Sequence, residues 1–314
     1  MPEPRPATHA RQSVVVVGSI NIDHVISTDV FPSPGETILG NAVSTGLGGK
    51  GANQAVAAAI GGAPVRMLAR VGRDAEGEMA LSRLAERGVD VAGVTAVAGV
   101  ATGTAWITVT PRDNTIVVVP GANARWNDYA ASGGFAETVG SALVTVAQLE
   151  VPLGVIEHAV ACSHGTFILN AAPAQALPAS LLTCCDVLIV NEHELRVVSG
   201  AEPEDGLIEP AHRSLLRQGV GAVVTTLGAA GAVLTDDHGT FALPAFPADV
   251  VDTTGAGDAF TGVLAARLAT GDSLADAVRW GMAAGSLAVR RHGAQESFPA
   301  GAEIRALLTG SNPA

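Results

Sequence analysis

The chain has 314 residues, 48% hydrophobic, 15% charged and only 4% aromatic, with a formal net charge of −12. That balance supplies a sizeable core and argues against disorder. The negative charge, with no run of Lys or Arg longer than two, argues against nucleic acid or an anionic membrane as partner, and the scarce aromatics leave little material for stacking bases.

From the N-terminus, Met1 to Gln12 carries no apolar core resembling a signal peptide, and nowhere does an apolar run approach the roughly eighteen residues of a membrane span. Val14 to Val17, closed by Gly18, predicts a buried parallel strand. Residues from about Asn21 to Ser44 are mixed, with a turn at Phe31 to Gly35, and suit short strands of a small separate sheet. The Ala-rich run Gly51 to Ile60 predicts a helix, and Thr104 to Thr110 with Thr115 to Val119 predicts a hairpin. Strands then follow at Ala142 to Leu149, Thr166 to Leu169, Asp186 to Val190 and Ala222 to Leu227, with helices between them. Two long helices, Ala256 to Ala269 and Leu274 to Arg290, come last. This alternation predicts an α/β fold: a doubly wound, mostly parallel sheet with helices on both faces. No composition break appears, so residues 1–314 are expected to form one main domain.

Polar residues gather just after the predicted strands: Asn21 and Asp23, Glu150, Asn191, and Thr226 with Gly228. Each alone reads as a turn residue. Together they mark one rim, and open α/β sheets bind ligands outside the carboxyl ends of their strands. The cysteines Cys162, Cys184 and Cys185 form neither a disulfide framework nor a zinc spacing, which predicts reduced, buried thiols in a cytoplasmic protein. The eight histidines show no metal-ligand spacing and read as surface or satisfied core residues.

Two segments carry chemistry. In Asp252 to Gly262 a glycine-flanked turn opens a helix, so unpaired N–H groups and the positive end of the helix dipole converge where a phosphate could sit. Asp258 at that helix start could be a simple dipole partner, but a hydroxyl under phosphorylation must lose a proton, and a carboxylate beside the phosphate is the natural base. The second segment, Gly46 to Gln54, contains G-x-G-x-x-G without a preceding apolar strand, and without the acidic residue that a dinucleotide site places about twenty positions on. Nor is it a P-loop, since Gly51 follows Lys50. Lys50 is the sole lysine of the chain. Drift toward arginine explains that blandly; a site needing a compact ammonium explains it more sharply.

These segments, with Gly18 to Asp23, Phe31 to Thr37 and Gly121 to Ala124, resemble the ribokinases within the PfkB carbohydrate kinases, in order from about Val14 to Phe298. The resemblance implies a ribokinase-like fold with a small discontinuous β-sheet lid, from about residues 20–47 and 102–121, that closes over the sugar and pairs two copies into a homodimer. It implies ATP-dependent phosphorylation of D-ribose at the 5-hydroxyl, with Asp258 as base and Gly255, Ala256 and Gly257 as anion hole. Asn21, Asp23, Gly49, Lys50, Asn53 and Glu150 match its sugar-binding positions. The nucleotide would meet Asn191, Thr226, Leu227, Gly228, Ala229, Ala230, Gly231, Gly257 and Met282, the last standing where relatives often carry a polar residue. Asn191 and Glu194 match a motif that helps hold Mg²⁺ through water. Asp252, Thr254, Ala288, Arg291, Gly293 and Ser297 match a K⁺ site. A kinase for deoxyribose, a ketose or a nucleoside, and a non-catalytic sugar sensor, are the alternatives.

Overall fold

Four valines in succession cannot all face one side of a strand, so β1 (Val14–Val17) must be buried on both faces, as it is. The computed structural model describes residues 14–126, 133–200 and 208–310. After β1 the chain runs through β2 (Asn21–Ser27), β3 (Ala42–Gly48), α1 (Lys50–Ile60), β4 (Val65–Gly72), α2 (Ala75–Glu86), β5 (Val89–Val97), β6 (Gly103–Val109) and β7 (Asn114–Val119). It continues with α3 (Gly133–Gly140), β8 (Val144–Gln148), α4 (Leu153–Cys162), β9 (Thr166–Asn170), α5 (Ala179–Leu182), β10 (Val187–Asn191), α6 (Glu192–Ser199) and α7 (Ile208–Arg217). Last come β11 (Ala222–Thr226), β12 (Ala232–Asp236), β13 (Gly239–Leu243), α8 (Ala256–Ala269), α9 (Leu274–Ala288) and α10 (Gly301–Thr309).

Nine strands form the main sheet in the order β13-β12-β11-β10-β9-β8-β1-β4-β5. Every neighbouring pair from β5 to β11 is parallel; the two pairings at the edge, β11 with β12 and β12 with β13, are antiparallel. Alternate residues of β1 divide the interior in two. Val14 and Val16 join a core made with α1, α2, α8, α9 and α10, while Val15 and Val17 join one made with α3 to α7. Each buried valine contributes about 1.5–3 kcal/mol of transfer free energy. From β1 the chain builds outward first through β4 and β5, then on the other side from β8 to β11, so the strand order reverses beside β1. A crevice opens there, outside the carboxyl ends of the strands.

The second sheet has four strands in the order β3-β2-β6-β7. Its root is anchored by Ile22 and Leu47, both buried in the first core, and its far edge, β7, is exposed at every position. His24 of β2 stacks on Trp106 of β6 with centroids 4.4 Å apart and meets Glu76 of α2 at 3.2 Å. The expected hairpin is β6–β7. Asn21 and Asp23 lie within β2, paired to β3 and β6, and not in a loop after β1. The cysteines form no disulfide, but the expectation that they are buried holds only for Cys185: Cys184 is exposed in the turn after α5, and Cys162, the last residue of α4, is half-buried because it packs only partly against the second core. Among the described residues no helix is long and apolar enough to cross a membrane.

Candidate active site

Helix α8 is capped at its start by Gly255, whose φ of 73° lies in the left-handed region and turns the chain sharply into the helix. Farther along, Gly262 lets α8 press against α1, since a Cβ there would collide with the Gln54 carbonyl. That close approach brings three side chains together. Asn53 Nδ2 donates to Asp258 Oδ2 at 2.9 Å, and Gln54 Nε2 donates to Asp258 Oδ1 at 2.9 Å. Asp258 is buried.

Lys50 opens α1 beside this cluster. Burial opposes its charge, but the carboxylates of Asp258, Glu150 and Glu194 outweigh burial and raise its pKa above that of an ordinary lysine. Glu150 emerges after β8 and joins the two sides of the crevice: its Oε2 accepts from Ser19 Oγ at 2.5 Å and from the Lys50 N–H at 2.9 Å. Asp23 lies over the backbone of Gly48. Burial first, then the charges of Glu150, Glu296 and Asp258, push its pKa up to about 7. Asn21 Oδ1 accepts from Asn123 Nδ2 at 2.8 Å. The sequence-derived sugar positions therefore converge on one acidic crevice around a single ammonium. Several polar residues that complete it were not anticipated: Ser19, Gln54, Asn123, Gln148, Asn170 and Gln295. Gln148 and Asn170 are the last residues of β8 and β9, so the strand-end criterion that singled out Glu150 reaches them too.

A cavity of about 550 Å³ opens on the other side of the α8 start, lined by Thr226, Gly228, Ala229, Gly231, Gly257 and Met282 with apolar walls from Phe246, Val250 and Phe260. Leu227, Ala230 and Asn191 stand outside that lining. Consecutive residues of one helix start thus face two compartments: Ala256 and Gly257 the cavity, Asp258 the crevice. The Ala256 N–H already donates to Thr253 O at 3.2 Å within the turn, so an anion there would share it.

Asn191 and Glu194 form a reciprocal cap on α6, with both hydrogen bonds at 2.8 Å. Burial, the dominant influence, raises the pKa of Glu194 despite its bond from the Asn191 N–H. Asp252 fastens two loops: Oδ1 accepts from the Thr254 N–H at 2.9 Å and Oγ1 at 2.7 Å, and Oδ2 from the Gly293 N–H at 2.9 Å. Burial acts against its charge, but these bonds prevail and hold its pKa below the usual carboxylate range. The Arg291 guanidinium turns away to Glu303 at 2.6 Å, and Ser297 Oγ donates to Ala294 O at 2.7 Å.

Comparison with known proteins gives the family and the fold. The family model described as pfkB family carbohydrate kinase matches residues 11–301. The ribokinase of Haemophilus influenzae is 36% identical over 92% of this chain and 96% of its own length. The deoxyribokinase of Salmonella typhi is 34% identical over 91% of this chain and 95% of its own. The structure of Arabidopsis thaliana ribokinase complexed with ribose and ATP superposes with a TM-score of 0.89 at 32% identity, covering 95% of this chain and 98% of that one. The chain belongs to the pfkB family of carbohydrate kinases.

Proposed function

We propose that this protein transfers the γ-phosphoryl group of ATP to the 5-hydroxyl of D-ribose, giving D-ribose 5-phosphate and ADP. The observation that carries the reading is the α8 start, where Gly257 borders the apolar cavity and the next residue, Asp258, borders the polar crevice. ATP fills the cavity along Thr226 to Gly231, with its γ-phosphate at the first turn of α8. Ribose lies in the crevice, its hydroxyls meeting Asn21, Asp23, Gly49, Lys50, Asn53 and Glu150. Asp258 takes the proton of the attacking hydroxyl, and the N–H groups of Gly255, Ala256 and Gly257, with Lys50, stabilise the charge that develops on the transferred group. The small sheet acts as a lid that excludes water.

Asn191 and Glu194 would hold Mg²⁺ through water; Mg²⁺ bound to the phosphates neutralises charge on them. Among the described residues no cluster of three or more His, Cys, Asp or Glu is placed to hold a metal directly. The oxygens of Asp252 and Thr254, with the main-chain carbonyls of Ala288, Arg291 and Gly293 and the Ser297 hydroxyl, suit a weakly hydrated cation, K⁺, which would brace the turn before α8.

The test is ADP release with MgATP and D-ribose, with and without K⁺, for the wild type and Asp258→Asn. The wild type turns over ribose faster with K⁺, while Asp258→Asn loses at least a hundredfold in kcat with KM for ribose nearly unchanged. Full turnover in Asp258→Asn would sink the assignment of the base. The comparable similarity to a deoxyribokinase favours one second reading, 2-deoxyribose as the better substrate. Turnover of 2-deoxyribose exceeding that of ribose would establish it.

A further inference from the structure

We infer that Gln54 is a positioning residue for phosphoryl transfer, fixing the Asp258 carboxylate through a one-way relay of buried side-chain amides. The inference rests on Asp258 serving as the base. A glutamine free to turn over could present either its NH₂ or its carbonyl to Asp258, and only the NH₂ holds a carboxylate. The relay removes the choice, and its direction is set far from the reacting centre.

It starts at the main-chain carbonyl of Ile189 in β10, which can only accept. Asn170 Nδ2 donates to it at 3.2 Å, so Asn170 must turn its Oδ1 toward Gln54. Only an N–H can meet that oxygen, and Gln54 Nε2 does so at 2.9 Å. The second hydrogen of the same Nε2 reaches Asp258 Oδ1 at 2.9 Å. With both hydrogens engaged, Gln54 Oε1 faces away from Asp258 and accepts from Gln148 Nε2 at 2.7 Å. Among the described residues Gln148 Oε1 ends the relay as a buried acceptor without a partner. Turning Gln148 over would not relieve it, because two carbonyl oxygens would then face each other and a buried NH₂ would be stranded. The unpaired oxygen is thus the consequence of a relay whose polarity is dictated at Ile189 and delivered at Asp258.

Asp258 Oδ2 receives its own donor from Asn53, whose Oδ1 accepts from Gln295 Nε2 at 3.0 Å. One donor on each oxygen blocks rotation of the carboxylate and leaves a lone pair on each for the sugar hydroxyl. A base displaced by about 1 Å loses on the order of a hundredfold in rate.

The experiment measures kcat, KM and the pH profile of kcat for Gln54→Glu, Gln54→Leu, Gln148→Leu and Asp258→Asn. MgATP is used with ribose or 2-deoxyribose, whichever the wild type phosphorylates, and thermal unfolding is followed in parallel. Gln54→Glu is nearly isosteric and sets a carboxylate oxygen against Asp258 Oδ1, so the pair shares a proton and the acidic limb of kcat moves to higher pH by about one unit or more. Gln54→Leu lowers kcat roughly tenfold or more with less than about a twofold change in the sugar KM. Gln148→Leu, which does not touch Asp258, gives a smaller fall in kcat and an unmoved KM. A wild-type pH profile and kcat in Gln54→Glu overturns the inference, as do losses confined to KM or to thermal stability. Should Gln54→Leu not fold, the other two decide; failure of all three to fold assigns the relay to the core alone and also overturns it. Turnover retained by Asp258→Asn defeats the base assignment itself, whereas an inactive Asp258→Asn beside unaffected Gln54 variants defeats only the positioning role.

Discussion

At the scale of single residues, Asp23 sets function against stability. The unfolded chain ionises it at the ordinary value of 3.8, whereas the folded chain holds its proton up to about 7. Between those values the folded state binds more protons than the unfolded one, so this residue's contribution to stability falls as pH rises through that window and stays low above it. Asp23→Asn is therefore expected to raise the unfolding temperature at pH 8, by on the order of 1 kcal/mol or more in stability, and to change it little near pH 4. Calorimetry at the two pH values checks this. On the proposed function the same variant is also expected to raise the sugar KM, because an ionised carboxylate accepts hydrogen bonds from sugar hydroxyls and the amide NH₂ cannot. Asp258 and Lys50 were legible in the sequence because a charge at a helix start and a solitary lysine are visible without contacts. Gln54 was not, because an amide inside a helix shows nothing of its partners, and Gln148 and Asn170, though they end strands, show which groups they meet only in the folded chain.

At the scale of elements, the decisive packing is α1 on α8. Gly262 has no side chain to hold the helices apart, and a methyl there must displace the Gln54 carbonyl. Gly262→Ala is expected to destabilise the fold by about 1–3 kcal/mol. It should also lower kcat at least tenfold, by drawing Asp258 away from Asn53 and Gln54. Denaturant unfolding and steady-state turnover measure the two effects separately. Strands whose residues are uniformly apolar, such as β1, were plain in the sequence. β5 was not: it is an edge strand carrying Asp90 and Gly93, its pairing to β4 shifts register between Arg66 and Leu68, and half-exposed residues dilute its pattern. β12 and β13 escaped notice for a related reason, being an antiparallel addition at the opposite edge.

At the scale of the molecule, the small sheet is too exposed to stand by itself. Val43, Trp106 and all of Ile116 to Val119 are exposed, and the alternation of β7 puts apolar groups on both faces. A four-stranded sheet with open apolar faces is stable when covered. A second copy, sheet against sheet, is the occupant that the family resemblance implies. Sedimentation velocity should accordingly find a dimer at micromolar concentration, and Val117→Lys should shift it to monomer while raising the sugar KM several-fold. A monomeric wild type would exclude the arrangement.

By itself the sequence determined the α/β class, the order of most elements and the two segments that hold Asp258 and Lys50, because hydrophobic periodicity, glycine placement and charge are local properties of a chain. The tertiary structure alone decided that one helix start faces a cavity and a crevice at once, and that five amides connect to Asp258 directly or through one another. These depend on contacts between residues far apart in the chain, 205 positions for Asn53 and Asp258 and 94 for Gln54 and Gln148. Only the packing of helices on a twisted sheet brings such residues within hydrogen-bond range.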